Sequence, residues 1–312
     1  MAVFGWDASD FDWDRGPMDL GAARAAGIDF FTHKATEGIG TRHRHYGEAL
    51  ARARAAGVPF LGAYHVVRST SSVAAQVDFC LAYVDAKTPW WREHPGWFFQ
   101  CDLEHWPYDK VAPSVGVAWC ERMEARTGRR VLLYAPRWAY GDTIGGGAPL
   151  WASNYVPGRG GFRELYPNDT STRWRPYSGR TPVILQYSSN ATIGRQPTCD
   201  ANAFRGTVAD FARLIGAEPD GLRAVGQAGT QAEARGDNDM AIIAKDAGGQ
   251  HYLCFLGGFR SFPIQADKIG DIKYLASQGA FALAHGVDGE EWEGGGWIRK
   301  GWSPEIFGAV AQ

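Results

Sequence analysis

The chain lacks an apolar run long enough to cross a bilayer, which takes about 20 residues, so neither a membrane-spanning helix nor a membrane partner is expected. It also lacks a charge excess. Its 32 Lys and Arg stand against 34 Asp and Glu, a formal net charge of −2 in 312 residues. A general nucleic-acid binder needs a surplus of basic side chains, so nucleic acid is not expected as a partner. Cysteine is scarce and shows no pairing pattern. Cys80, Cys101, Cys120, Cys199 and Cys254 are odd in number and form no CxxC pair, which argues against a disulfide framework or a thiolate zinc site. Reduced, mostly buried thiols are expected instead. The opening residues Met1-Ala2-Val3-Phe4-Gly5-Trp6-Asp7 lack the basic region and apolar stretch of a signal peptide. The expectation is a protein made in a cytoplasm without a secretory address.

Aromatic residues, in contrast, are abundant: 13 Trp, 12 Tyr and 16 Phe. Such side chains fill cores or stack on sugars and other flat partners, and composition alone does not separate the two. Up to residue 215, short apolar runs alternate with Ala- and Arg-rich amphipathic stretches. Strands are predicted at Val3–Trp6, Phe30–Lys34, Phe60–Tyr64, Trp97–Asp102, Val131–Tyr134, Leu150–Ala152 and Val183–Tyr187. Helices are predicted at Leu20–Ala26, His45–Ala56, Val73–Asp85, Val115–Thr127 and Val208–Ile215. Gly27 and Gly57 stand where helices end, and Ser72 and Ser114 where helices begin. This alternation implies an α/β fold of mainly parallel β/α units, and seven or eight strands in so short a length suit a barrel.

Residues 216–237, rich in Gly, Ala and polar side chains, read as a linker. Beyond it, residues 238–312 read as a small α+β or all-β module. Three short strands are predicted there (Met240–Lys245, Tyr252–Phe255 and Phe259–Ile264), with a helix from Asp267 to about Ser277 and a tail carrying Trp292, Trp297 and Trp302. Residues 1–217 hold 24 basic and 21 acidic side chains, whereas residues 218–312 hold 8 and 13, so the two parts differ in sign.

The segment Phe98-Phe99-Gln100-Cys101-Asp102-Leu103-Glu104-His105-Trp106 carries the chemistry. An aromatic strand runs into two carboxylates at i and i+2, which the pleat directs to one side. Active sites of parallel barrels lie at the C-terminal ends of the strands. Like charges held close, and burial, raise carboxyl pKa values and keep a proton available for general acid catalysis. Asp7 ends the first predicted strand, Glu37 follows the second beside Lys34, and Asp200 follows the seventh. Tyr64, His65, Trp106, Tyr134, Trp151, Asn154, Tyr155, Gln186 and Tyr187 lie at or beside the same strand ends, where rings and amides suit a sugar's C–H faces and hydroxyls. The acids alone also fit a divalent-cation site or a binding cleft without turnover.

The chain resembles glycoside hydrolase family 25, the Chalaropsis-type lysozymes or N-acetylmuramidases, over about residues 3–215. The resemblance rests on GWDASDFDW at 5–13, HKATEG at 33–38, GAYHVV at 62–67, FFQCDLEHW at 98–106, LWASNY at 150–155, ILQYSS at 184–189 and CDANAFRGT at 199–207. It implies a flattened, irregular β/α barrel of five β/α units and three further strands. It implies Glu104 as proton donor and Asp102 as the carboxylate that orients the substrate's 2-acetamido group, with Asp7 and Asp200 tuning the electrostatics. It also implies substrate-assisted, retaining hydrolysis of the β-1,4 bond from N-acetylmuramic acid to N-acetylglucosamine in peptidoglycan, without metal or organic cofactor. Asp12 stands where the family commonly has an amide, Ala8 where it has a branched apolar residue, and Thr32-His33 where apolar residues are usual. These departures bear on fine specificity. The C-terminal module is expected to bind wall glycans. Together with the missing secretory signal, that pairing suggests a bacteriophage endolysin held in the host cytoplasm until its release to the wall.

Overall fold

A computed structural model of the chain describes residues 2–217 and, beyond them, the backbones of four strands. The chain divides into two units, Met1–Gln227 and Ala228–Gln312. The first is built on eight strands: β1 (Ala2–Ala8), β2 (Ile28–Glu37), β3 (Phe60–Val66), β4 (Trp97–Asp102), β5 (Val131–Tyr134), β6 (Leu150–Ser153), β7 (Ile184–Ile193) and β8 (Gln196–Arg205). From β1 to β7 each strand lies parallel to the next. β8 runs antiparallel to both β7 and β1 and closes the barrel.

The first five strands are each followed by a helix: α1 (Leu20–Ala25), α2 (Tyr46–Ala55), α3 (Val73–Lys87), α4 (Pro113–Thr127) and α5 (Arg137–Tyr140). Between β6 and β7 the only α-helix is the four-residue α6 (Phe162–Leu165). β7 and β8 form a hairpin that turns at Gly194. Gly194 has φ +58°, and a Cβ there would meet the Ala22–Ala23 backbone at 3.0 Å, so glycine alone fits. This is the expected barrel of five β/α units with three further strands.

Strand alternation divides the apolar side chains into two cores. Phe4, Trp6, Phe31, Leu61, Phe99, Cys101, Leu133 and Leu185 face outward and pack beneath the helices. Val3, Phe30, Phe60, Phe98, Leu132, Trp151, Ile184 and Phe204 face into the barrel. α7 (Val208–Ile215) follows β8, and its Phe211, Ala212 and Ile215 join the inner core. The Phe211 ring lies 4.5–5.7 Å from the rings of Phe30, Phe60, Phe98 and Phe204. Gly5 makes room for this layer, since a Cβ there would sit 2.1 Å from the Phe30 ring.

Ser72 caps α3 as expected, accepting a hydrogen bond from the Ala75 amide at 3.2 Å. Ser114 does not cap α4. That helix starts two residues earlier than Val115, at Pro113, whose fixed φ and missing N–H suit a first helical position. Cys80, Cys101 and Cys120 are free, buried thiols, and Cys199 is buried as well. Among the described residues, no helix is long and apolar enough to cross a membrane.

The second unit contains β9 (Met240–Lys245), β10 (His251–Phe255), β11 (Arg260–Ile264) and β12 (Ala282–Leu283) in the order β11-β10-β9-β12. β9 and β11 are antiparallel to β10, and β12 is parallel to β9. The helix expected from Asp267 and the tryptophans of the tail lie outside the described residues.

Candidate active site

The upper end of the barrel interior continues the inward-facing rows that are apolar below. On β1 the row Val3, Gly5, Asp7 ends in a carboxylate. On β4 the row Phe98, Gln100, Asp102 does the same, and Glu104 continues it beyond the strand. The intervening Leu103 turns into the outer core, while its amide donates to the Tyr134 carbonyl at 2.9 Å and holds the segment against β5. Asp200 comes after the seventh strand, as the sequence places it, but stands inside β8, a strand the sequence pattern does not predict, and its backbone is in register with Asp7.

The four acids therefore share one small, poorly solvated space. Burial raises the Asp102 carboxyl well above its usual range, and repulsion from Glu104 and Asp7 adds to this. Glu104 is raised by burial despite the opposing influence of Asp102, Lys34 and Arg68. The adjacent pair thus retains a proton where isolated carboxylates have lost theirs. Asp200 is pushed well up by burial and by Asp7, Asp12 and Glu104. Asp7 is pushed up to about 7 by burial, against the hydrogen bonds it receives.

Those bonds form a braced network. Gln186 Nε2 donates to both Asp7 oxygens at 2.9 and 3.0 Å, and Asn202 Nδ2 donates to Oδ1. Gln186 Oε1 in turn accepts from the Tyr155 hydroxyl at 2.7 Å and the Tyr134 hydroxyl at 3.1 Å. Asn202 Oδ1 accepts from Trp151 Nε1 at 2.9 Å. Asp102 Oδ1, by contrast, is buried without a hydrogen-bond partner. A buried acceptor left open in this way is unfavourable unless a ligand donor fills it.

One wall is cationic and aromatic. Lys34 Nζ donates to Glu37 Oε2, and Arg68 donates to Glu37 Oε1 through Nε at 2.9 Å and through Nη2. Burial would raise the Glu37 carboxyl, but these two cations hold it below its ordinary value. The Arg68 guanidinium lies 5.0 Å from the Trp106 ring centre and 5.4 Å from that of Tyr108.

Not every expected contact residue faces this space. Tyr64 does, and its hydroxyl titration is raised by burial and by the surrounding acids. Its neighbour His65 points the other way. It is fully buried, bonded to Thr36 Oγ1 at 2.8 Å and Gln76 Oε1 at 3.1 Å, and stacked on Trp119. Burial lowers its pKa to about 4, so it stays neutral. Tyr187, one residue past Gln186, is likewise on the helix side and donates to the Phe162 carbonyl at 2.7 Å. The pleat that turns Tyr64 and Gln186 inward turns His65 and Tyr187 outward, so neither faces the acid-lined space. Trp151 points inward but is fully buried one layer below, where it orients Asn202. Asn154 sits at the rim, held by Arg173 Nη1 at 2.8 Å. The sequence reading missed Asn202 and Arg68. Asn202 was accessible by strand periodicity, two residues from Asp200, once β8 is recognised.

Among the described residues, no group of three or more His, Cys, Asp or Glu side chains is arranged to hold a metal ion. A surface hollow of about 550 Å³ lies away from the strand ends between α3, α4 and Trp91. Its charged residues Asp78, Arg126, Asp85 and Arg92 already form ion pairs with one another.

A closed β/α barrel with a buried acid pair at the end of a central strand defines a class, the barrel glycosidases. The chain belongs to glycosyl hydrolases family 25, whose model matches residues 7–194, and it is a glycoside hydrolase. Its fold is similar to that of the bacterial lysozyme from Streptomyces coelicolor, with a TM-score of 0.53 and 24% identity over 68% of this chain and 96% of that one. It is also similar to a muramidase from Trichobolus zukalii (TM-score 0.54, 20% identity, 68% and 98% covered). A family 25 lysozyme from Aspergillus fumigatus gives 0.51 and 22%, with 69% and 99% covered. No curated protein sequence matches the chain.

Proposed function

We propose that the protein is a peptidoglycan muramidase that cleaves the β-1,4 bond from N-acetylmuramic acid to N-acetylglucosamine. The observation that carries this reading is the buried Asp102–Glu104 pair, both raised, at the mouth of an acid-lined barrel. Family membership and the lysozyme and muramidase names of similar structures support it. In this reading Glu104 gives its proton to the glycosidic oxygen as the C1–O bond breaks. The substrate's own acetamido oxygen attacks C1 from the opposite side, and Asp102 Oδ1 accepts the acetamido N–H and stabilises the positive charge that develops. Water then opens the cyclic intermediate while the Glu104 carboxylate takes up its proton, which restores the acid and retains the anomeric configuration. Asp7 and Asp200 set the potential beneath the sugar. Tyr64, Tyr134, Tyr155, Gln186 and Asn154 line its path, with Trp106, Lys34 and Glu37 forming one wall. Replacing Glu104 with Gln keeps the shape and removes the proton. Clearing of cell walls is expected to fall on the order of 10²–10⁴-fold, and unchanged clearing would refute the acid assignment.

The biological setting proposed is phage-induced lysis of a bacterial host. Residues 216–237 would serve as a linker and residues 238–312 as a wall-binding module. The opposite charge balance of the two parts and the change in texture after residue 215 support a division of labour. Sedimentation with intact walls tests the module: full-length protein should pellet more completely than residues 1–217, and equal pelleting would remove the module's role.

A further inference from the structure

A second hollow, of about 340 Å³, opens beside the acid cluster at the end of β6. It is lined by Arg137, Trp138, Ser153, Asn154, Tyr155 and Arg175, with no acidic residue among them. Several guanidinium groups elsewhere on the barrel are neutralised by a carboxylate. Arg24 pairs with Asp29, Arg68 with Glu37, Arg92 with Asp85 and Arg126 with Asp78. Among the described residues Arg137 and Arg175 have no such partner, and Arg137 Nε is buried without a hydrogen bond. Two uncompensated guanidinium groups facing one cavity repel each other and attract an anion. Their planar forks match a carboxylate.

The aromatic residues of the hollow fit the same ligand. Trp138 is 70% exposed and Tyr155 46% exposed, so large ring surfaces stand in water beside the arginines. Tyr155 is also the wall common to both sites. Its hydroxyl bonds to Gln186, which bonds to Asp7, and its titration is raised by burial and by Asp200 and Asp7. Asn154 is fixed by Arg173, so the rim between the two sites is preorganised. Tyr155 and its bond to Gln186 thus join the hollow to the acid cluster.

We propose that the hollow is a subsite for the carboxylate-bearing peptide stem of the glycan substrate, with Arg137 and Arg175 reading the stem's negative charge and Trp138 covering its aliphatic part. The proposal rests on the muramidase reading and specifies which substrates that activity prefers. Walls whose stem carboxylates are amidated present the same glycan without the charge.

The test compares two soluble glycan oligomers of equal length, one with free and one with amidated stem carboxylates. The wild-type protein should favour the free form about tenfold in kcat/KM, mostly through KM, as expected for charge-assisted contacts at a partly exposed site. In R137Q/R175Q the ratio should fall to about one. Arg175 is exposed, so R175E is not expected to disturb folding, and it should push the ratio below one. A wild-type ratio of one, or a preference that persists in both variants, overturns the subsite. Failure of the muramidase reading looks different: the wild-type protein would then cleave neither oligomer, and the subsite would fall with it.

Discussion

The two ends of the barrel interior are made from the same strands, yet they are opposite in chemistry. At the lower end Phe30, Phe60, Phe98 and Phe204 close around Phe211 of α7, with no polar group among them. Four residues along the same inward rows, Phe98 gives way to Asp102, and Val3 to Asp7. The lower end gains from every buried ring, each worth about 1.5–3 kcal/mol relative to exposure. The upper end holds carboxyl groups where desolvation disfavours their charge. The barrel thus places a stabilising layer beneath a destabilising one, with Gly5 and Gln100 between them on these rows, and the unfavourable layer is where proton transfer is proposed. The strain falls on charge rather than on packing.

Two substitutions separate the ends. Phe211→Ala removes the ring on which the lower layer converges, and stability should fall by about 3–5 kcal/mol in denaturant titration. A loss below about 1 kcal/mol would mean that α7 does not close the barrel. Asp7→Asn acts at the upper end and is smaller. The folded pKa of Asp7, about 7, lies above its ordinary value of 3.8, so the folded state holds a proton that the unfolded state has released between those pH values. The wild-type protein therefore loses stability as pH rises from 4 to 7, and the Asn variant does not share this loss. Melting curves should show the variant gaining on the wild type across that window by at least on the order of 1 kcal/mol. A difference that stays constant with pH would contradict the account of the upper layer.

Much of the barrel is legible in the sequence because its strands are short apolar runs with clear punctuation. Trp97–Asp102 and Val131–Tyr134 coincide with observed strands, and Val73–Asp85 lies within α3. β8 is not legible in this way. Gln196–Arg205 contains Pro197, Asp200 and Asn202, poor strand formers that are held extended by pairing with β7 and β1 on either side. Its existence depends on contacts distant in sequence. The site was legible where one rule sufficed: Asp102 and Glu104, at i and i+2, do fall on one side. It was not legible where neighbours at strand ends were grouped without regard to the pleat, which is why His65 and Tyr187 belong to the outer packing. The aromatic excess resolves similarly. Trp6, Trp97, Trp119 and Trp151 are core residues, whereas Trp106 packs against Arg68 in the wall of the acid site and Trp138 lines the hollow beside it.

The central claim is that the strand-end acids hydrolyse one particular glycosidic bond. Mass spectrometry of bacterial cell wall digested by the protein, with borohydride labelling of new reducing ends, tests it most directly. The account predicts labelled ends on muramic acid with stem peptides intact. Ends on glucosamine, or cut peptides with unbroken glycan, would contradict it.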